Sequence, residues 1–179
     1  MRILPSLLVS ASLAMHALAD DGWQKARWGM TKEEVAKVYP EAKPDSGGGA
    51  GQLAVGLSLT EYPLVDGKFQ VKFLFDAQKK LASVRVEEDG RHPRNGDKTF
   101  LRLKQLLTAR YGKPVREEPP EPMVSSLAWH DGDREIQLTQ TLGNSLETAS
   151  VSISYSGRAT AAHEREAKAA EEKSMIDKL

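Results

Sequence analysis

The chain of 179 residues contains no cysteine. This absence excludes disulfide bonds, thiol catalysis, a lipid anchor attached to a cysteine, and any metal site with cysteine ligands. The hydrophobic core must therefore stabilise the fold without a covalent cross-link. A chain of this length buries about 70% of the surface that it exposes when unfolded, which is enough for one self-sufficient core.

The chain also lacks an excess of either charge, because 25 lysine and arginine residues balance 25 aspartate and glutamate residues. A balanced chain has no overall electrostatic field that would attract nucleic acid or an anionic membrane. Aromatic residues do not alternate with basic ones, as they do on surfaces that stack nucleic-acid bases. We therefore expect no nucleic-acid partner.

Long apolar runs are scarce, and the one at the N-terminus is too interrupted to cross a membrane. Residues 1–19 (MRILPSLLVSASLAMHALA) combine a positive charge at Arg2, an apolar middle, and small residues at Ala17 and Ala19. A membrane span needs about 20 uninterrupted apolar residues, and Pro5 and several serines break this run. The pattern predicts a secretory signal peptide cleaved after Ala19. We expect a periplasmic or secreted protein without a transmembrane span; an uncleaved N-terminal anchor is the main alternative.

Motifs of common catalytic sites are absent as well. The sequence has no G-x-S-x-G and no H-E-x-x-H. Beyond the leader, the histidines are widely separated, at His92, His130 and His163. The stretch SGGGAG at 46–51 lacks the Lys-Ser/Thr that completes a P-loop, so it predicts a flexible loop. We therefore expect no catalytic residue, no metal ion and no cofactor.

Residues 31–34 (TKEE) have the pattern of a capping box and predict the start of a helix. In such a box the Thr31 hydroxyl accepts a hydrogen bond from the Glu34 backbone N–H, and the Glu34 carboxylate accepts one from the Thr31 N–H. An apolar stripe follows, and Pro40 ends the helix. Trp28, just before the cap, is expected to be a core or lid residue rather than a binding platform.

Alternating apolar residues then predict three antiparallel strands. Side chains at every second position share one side of a strand, so each run indicates one buried face. The dipeptide Asp66-Gly67 favours a hairpin between the first two strands. The apolar positions are Leu53, Val55, Leu57 and Leu59, then Phe69, Val71, Phe73 and Phe75, then Ala82, Val84 and Val86.

The second half repeats this order of elements. A helical stripe ends at Gly112 and Pro114, and residues 115–122 (VREEPPEP) predict a proline-rich acidic loop. Three further strands follow, the first two joined by a turn at Asp131-Gly132. The apolar positions are Phe100, Leu103, Leu106, Leu107 and Tyr111 in the helix, and Leu127, Trp129, Ile136, Leu138, Val151, Ile153 and Tyr155 in the strands.

We therefore predict an α+β fold built as a tandem αβββ repeat. One domain would span residues 20–157, with repeats at about 27–90 and 91–157. The strands are polar on one side, which favours an antiparallel sheet covered by helices on one face only.

Residues 158–179 predict a charged C-terminal helix, because they are rich in alanine, glutamate and lysine and contain no internal proline or glycine. Glu164 and Lys168 form an i,i+4 pair in the favourable order. A solvated tail helix is one interpretation. The alternative is a helix that docks on a partner or pairs with its copy.

The stretch WGMTKEEV (28–35), followed by a short helix and a three-stranded meander, resembles small exported αβ modules of Gram-negative bacteria. These include outer-membrane assembly lipoproteins of the SmpA type and the tandem-repeat β-lactamase inhibitor proteins, of which the inhibitors are the closer architectural match. The resemblance extends from about Trp28 to Tyr155. It implies a protein that acts by binding other proteins, and it carries over no functional residue.

His130 lies beside a group of acidic residues, Asp131, Asp133 and Glu135. Asp131-Gly132 is a sequence that a two-residue hairpin turn favours, so the turn explains most of this group. The twelve-residue calcium-loop pattern is absent. A hydrolytic or metal-assisted enzyme that uses His130, Asp131 and Asp133 remains the alternative.

The leading hypothesis is a non-catalytic binding or adaptor protein whose partner is another envelope or secreted protein. His130 on the exposed sheet face and Trp23 are the candidate binding residues. Trp23 and the C-terminal helix also motivate a third hypothesis, a structural envelope component that binds glycan or a membrane surface. The oligomeric state is not predicted.

Overall fold

The computed structural model describes residues 22–49, 51–65, 67–88, 96–121, 124–143 and 148–176. Within these ranges three helices form: α1 (Lys32–Val38), α2 (Gly96–Tyr111) and α3 (Arg158–Ile176). The strands are β1 (Gly22–Trp23), β2 (Ala26–Arg27), β3 (Lys43–Pro44), β4 (Ala54–Leu64), β5 (Gly67–Phe75), β6 (Leu81–Glu88), β7 (Arg116–Glu121), β8 (Val124–Asp131), β9 (Arg134–Leu142) and β10 (Ala149–Gly157).

A single antiparallel sheet of eight strands organises the molecule, in the order β3-β4-β5-β6-β10-β9-β8-β7. The strands β6 and β10 pair at its centre, where Val86 lies opposite Ile153. The hairpin β1–β2 stands apart from this sheet. The large antiparallel sheet and the helices confirm the predicted α+β class.

The core lies between one face of the sheet and the helices α1 and α2. Val71, Phe73 and Trp129 from the strands are fully buried, and Val35 of α1 and Leu103 of α2 close over them. These strand residues follow the predicted alternation, because every second side chain of a strand points to the same face.

The alternation fails at the start of β4. Leu57 and Leu59 belong to the main core, but Leu53 and Val55 pack with Leu74 in a second cluster. The register shifts between Val55 and Leu57, and the extra residue turns the side chains before it to the opposite face. The prediction that the four apolar residues share one face is therefore wrong for the first two.

Glycine is required at the point of this shift. A Cβ on Gly56 would lie 2.7 Å from Cδ2 of Phe75 on the neighbouring strand. The Phe75 ring occupies that space, and Phe75 is 6% exposed. A larger residue at position 56 would displace the ring.

The predicted capping box is present at the start of α1. The Glu34 N–H donates to Oγ1 of Thr31 at 3.3 Å, and the Thr31 N–H donates to Oε2 of Glu34 at 2.7 Å. Together these bonds satisfy two backbone donors, one of them at the start of the helix, which would otherwise lack partners. The cap and apolar stripe place Val35 on the core.

Two local predictions need correction. The turn between β8 and β9 is centred on Gly132-Asp133, one residue later than predicted, because Asp131 still pairs with Arg134 and Gly132 supplies the positive φ of 59°. The stretch 115–122, predicted as a loop, contains β7, which pairs with β8 at the edge of the sheet. Edge strands tolerate proline, because their outer N–H groups need no partner in the sheet. Asp66 of the predicted Asp66-Gly67 turn lies outside the described residues.

The helix α3 packs on the sheet face opposite α1 and α2. It contacts β9 and β10, and Arg165 bonds to Glu135 of β9. Glu135 points away from the core because the next residue, Ile136, points into it. The expectation of helices on one face therefore holds for α1 and α2 but not for α3. None of the described helices is long and apolar enough to cross a membrane.

We predict that Phe73→Ala lowers the free energy of unfolding by about 3–5 kcal/mol, because it leaves a cavity in the core beneath α1. Leu101→Ala on α2 is the control, since Leu101 is 57% exposed. It should change stability by less than about 0.5 kcal/mol. Urea unfolding followed by tryptophan fluorescence measures both values, and equal effects would contradict the assigned core.

Candidate functional site

Apart from the cluster of Leu53, Val55 and Leu74, the sheet face opposite α1 and α2 carries mostly hydrogen-bonding and charged side chains in ordered rows. We call it the polar face. Neighbouring strands place these residues directly opposite one another, so each row crosses the sheet. One row contains Ser58, Lys72, Arg85, Ser154, Gln137, Ala128 and Arg116; the next contains Gln70, Glu87, Ser152, Thr139, Ser126 and Glu118.

Hydrogen bonds and ion pairs hold this face in a defined geometry. The Lys72 ammonium lies 2.6 Å from Oε2 of Glu87, and an Arg85 guanidinium nitrogen lies 3.5 Å from Oε1 of the same carboxylate. Near the other side of the sheet, the Gln137 amide donates to the Ser126 hydroxyl at 2.7 Å. These groups are therefore oriented before any ligand arrives.

Glu135 is the most buried charged residue of the polar face, with a side chain that is 2% exposed. Its Oε1 accepts hydrogen bonds from Nη2 of Arg116, at 2.9 Å, and from Arg165 of α3. Nε2 of His130 lies 3.4 Å from its Oε2. The carboxylate of Glu135 on β9 thus joins its own strand to three other elements: the edge strand β7, the strand β8 and the helix α3.

The surroundings of Glu135 decide its ionisation. Burial raises the pKa of a carboxyl group, because it removes water from the charged form. Here the hydrogen bond and charge of Arg116, the charge of Arg165 and the hydrogen bond of His130 outweigh burial and hold the pKa of Glu135 below its ordinary value. Glu135 is therefore a carboxylate at neutral pH.

The predicted cluster around the β8–β9 turn is not brought together. His130 lies on the polar face beside Glu135, its cross-strand neighbour. Asp131 is the next residue of the strand, points to the other face and pairs with Arg134. Asp133 is exposed in the turn. His130 therefore shares a site with Glu135 and two arginines rather than with the two aspartates.

Trp23, the other candidate, lies in the core and is 5% exposed. Its ring centroid is 5.9 Å from that of Tyr39 and 6.0 Å from that of Phe73. A buried ring cannot present a flat surface to glycan or lipid, so Trp23 is corrected to a core residue. The β1–β2 hairpin folds Trp23 inward against β10.

Sequence reasoning missed Arg116 and Arg165, which complete the site. Arg116 lies in the stretch predicted as a loop, and Arg165 lies in the C-terminal helix. One signal was available: Glu135 directly precedes the apolar Ile136, so alternation places it on the same face as His130. The cationic partners could not be found this way, because they lie 19 and 30 residues away along the chain.

A groove runs between α3 and the first half of the sheet. It contains a cavity of about 440 Å³ and an adjoining cavity of about 420 Å³, which share Gln52, Glu164 and Ala167. In the part of the chain that the structure describes, no group of three or more His, Asp or Glu side chains is placed to hold a metal ion.

Comparison with protein-family models, with curated proteins and with solved structures finds no match to this chain. The resemblance to exported αβ modules therefore rests on the residues from Trp28 to Tyr155 alone.

We predict that Glu135→Gln lowers the free energy of unfolding by about 3 kcal/mol, because it leaves two arginines around a buried neutral group. Glu118→Gln is the matched control. Glu118 pairs with the same Arg116 at 3.4 Å, but its side chain is 45% exposed. Glu118→Gln should lower the free energy of unfolding by less than about 1 kcal/mol, the usual limit for an exposed ion pair. Equal losses in urea unfolding would contradict the role of buried Glu135.

The same variant should also show a defined pH dependence. Because the folded pKa of Glu135 is depressed, its stabilising contribution is present above the unfolded pKa of about 4.3 and is lost as pH falls through the folded value. The stability difference between the wild-type protein and Glu135→Gln should therefore shrink on acidification below about pH 4. A constant difference down to pH 2.5 would argue against a depressed pKa.

Proposed function

We propose that the protein is an exported binding module, periplasmic or secreted, that binds another protein through the polar face and α3. Export is inferred from the leader-like residues 1–19, which lie outside the described residues. No catalytic step is assigned to the protein. The proposal rests on the chemistry of the polar face and on what already packs against it.

The observation that carries this proposal is the packing of α3. This helix belongs to the same chain, yet it lies against a polar surface rather than the hydrophobic core. Arg165 meets the buried Glu135, the Arg158 N–H donates to the Asp133 carbonyl at 2.7 Å, and Ala161 is 6% exposed. The polar face thus holds a helical segment through ionic and hydrogen-bonding groups, and a partner protein can use the same chemistry.

The rest of the polar face offers further groups in fixed positions. Short side chains occupy its middle, where Thr139, Ser152 and Ser154 are only half-buried. Charged side chains flank them, with Lys72 and Arg85 beside Glu87 on one side. Complementary charges at an interface favour specificity and fast association. A shallow centre with charged flanks suits a partner that presents polar groups.

The order of elements supports a duplicated scaffold. The chain forms α1, β3, β4, β5 and β6, and then α2, β7, β8, β9 and β10. In the sheet the two sets meet at the β6–β10 pair, and each runs outward from it in reverse chain order, to β3 on one edge and β7 on the other. Each half has one helix and four strands, one strand more than the predicted αβββ order. We infer that the halves, at about 27–90 and 91–157, are tandem repeats. This arrangement is consistent with the resemblance to the tandem-repeat inhibitor proteins, which act by binding proteins.

Site-specific photocrosslinking tests the proposal. A benzophenone amino acid replaces Thr139 on the polar face or, as the matched control, Gln105 on the exposed side of α2. After irradiation of cells that express the protein, we expect one discrete adduct from position 139 and none from position 105. Adducts from position 105 alone, or from neither position, would overturn the assignment of the polar face.

Export is measured separately in the same cells. The intact mass of the recovered protein should correspond to a chain that begins at Asp20, and the protein should fractionate with the periplasm or the medium. A full-length protein in the cytoplasmic fraction would refute export, whatever the crosslinking result.

A further inference from the structure

The larger cavity beside α3 has the volume of a small-molecule site. Its volume is about 440 Å³, within the range of about 300–1,000 Å³ that ligand pockets occupy. The helix α3 forms one wall, and residues around the start of β4 and the β5–β6 turn form the other. Thr160, His163 and Glu164 contribute polar groups from the helix.

Small apolar residues keep this cavity open. Ala159 and Ala167 line it from α3, and Ala77 and Ala82 line it from the sheet side, next to Leu53. Because an alanine side chain ends at Cβ, none of these residues fills the space between the helix and the sheet. The result is an apolar wall that can contact a short alkyl chain.

Two of the three ionisable side chains that line the cavity are carboxylates. Its ionisable lining residues, within the described part of the chain, are Asp76, His163 and Glu164. The β5–β6 turn holds Asp76 rigidly, since its Oδ1 accepts a hydrogen bond from the Lys80 N–H at 2.8 Å. Two carboxylates on opposite walls favour a cationic ligand over an anionic one.

Glu164 also has unused hydrogen-bonding capacity. Its Oε1 is buried and has no hydrogen-bond partner. A buried acceptor without a donor costs free energy, because it has lost its water without gaining a replacement. Glu164 lines the cavity, so a turn of its side chain would bring Oε1 to a ligand that has N–H donors.

We propose that this cavity binds a small alkyl amine or alkyl guanidinium, with Glu164 as its counter-ion and the alanine-lined wall against its alkyl chain. The cavity lies between α3 and the first half of the sheet, and its test does not depend on finding a partner protein. Charge-assisted hydrogen bonds to a carboxylate are among the stronger hydrogen bonds in proteins, which suits Glu164 to this role.

The charges around Glu164 predict how binding depends on pH. Burial raises the pKa of Glu164, and the charge of Glu135 acts in the same direction. Arg85 of β6, His163 and Arg165 of α3 oppose this but leave the pKa above its ordinary value. Cation binding should therefore weaken on acidification at a higher pH than for an exposed glutamate.

Two probes that differ in charge test the site: n-butylguanidinium and its uncharged analogue n-butylurea. Each is titrated into the ¹⁵N-labelled protein and followed by NMR. We expect saturable shifts of the amides of Thr160, His163 and Ala167 with n-butylguanidinium, and affinity at least about tenfold weaker for n-butylurea. Absence of saturable shifts at these residues, or equal affinity for the two probes, would overturn the proposal.

Variants on the same helix locate the counter-ion. Glu164→Gln should weaken n-butylguanidinium binding by at least about tenfold, whereas Glu166→Gln should change it less than about twofold. Glu166 is the matched control because it is exposed on α3 and does not line the cavity. Unchanged binding to Glu164→Gln would contradict the assigned role.

A third variant separates loss of the site from loss of α3. Ala167→Leu keeps both carboxylates, and leucine is nearly as good a helix former as alanine, but its larger side chain fills the cavity. It should abolish the binding of both probes. The amides of α3 that lie away from position 167 should keep their wild-type chemical shifts. Undiminished binding to Ala167→Leu would show that the probe does not occupy this cavity.

Discussion

The two-residue alternation of side chains along the strands is the constraint on which this structure depends. It gives the eight-stranded sheet two chemically different faces. The apolar face, with Phe73 and Trp129, can be covered only by apolar helix stripes, and α1 and α2 supply them. On the polar face, α3 is held by charges, by hydrogen bonds and by the burial of Ala161.

Through Glu135, the polar face binds the edge strand β7 and the helix α3. A carboxylate that is 2% exposed must have partners, and two arginines and a histidine provide them. Since Arg116 comes from the edge strand and Arg165 from α3, satisfying this charge fixes both elements against β9. The same contact places the other side of α3 beside the first half of the sheet. The alanine-lined cavity and Glu164 lie in the gap that remains.

Local rules predicted much of the fold. The capping box at Thr31, the alternation through Phe73 and the α+β class follow from patterns a few residues long. The errors were also local in origin: an inserted residue near Gly56 reversed the side chains before it, and the β8–β9 turn centre moved to Gly132-Asp133. Proline in the stretch 115–122 suggested a loop, although an edge strand tolerates it.

The candidate site was harder to predict, because it depends on contacts between distant parts of the chain. The acidic group beside His130 suggested a cluster along the sequence, but adjacent strand residues point to opposite faces. Trp23 suggested a surface ring, yet the β1–β2 hairpin folds it into the core. The position of α3 depends on contacts such as the Arg165–Glu135 pair, and a composition rich in alanine and glutamate does not identify such a pair.

The coupling between Arg165 and Glu135 tests most directly whether this charge pair holds α3 on the polar face. Urea unfolding of the wild-type protein, Arg165→Gln, Glu135→Gln and the double variant forms a double-mutant cycle. The account predicts a coupling free energy of about 1 kcal/mol or more, as for residues in direct contact. Additive effects, within about 0.5 kcal/mol, would mean that α3 is not held by Glu135 and would contradict the account.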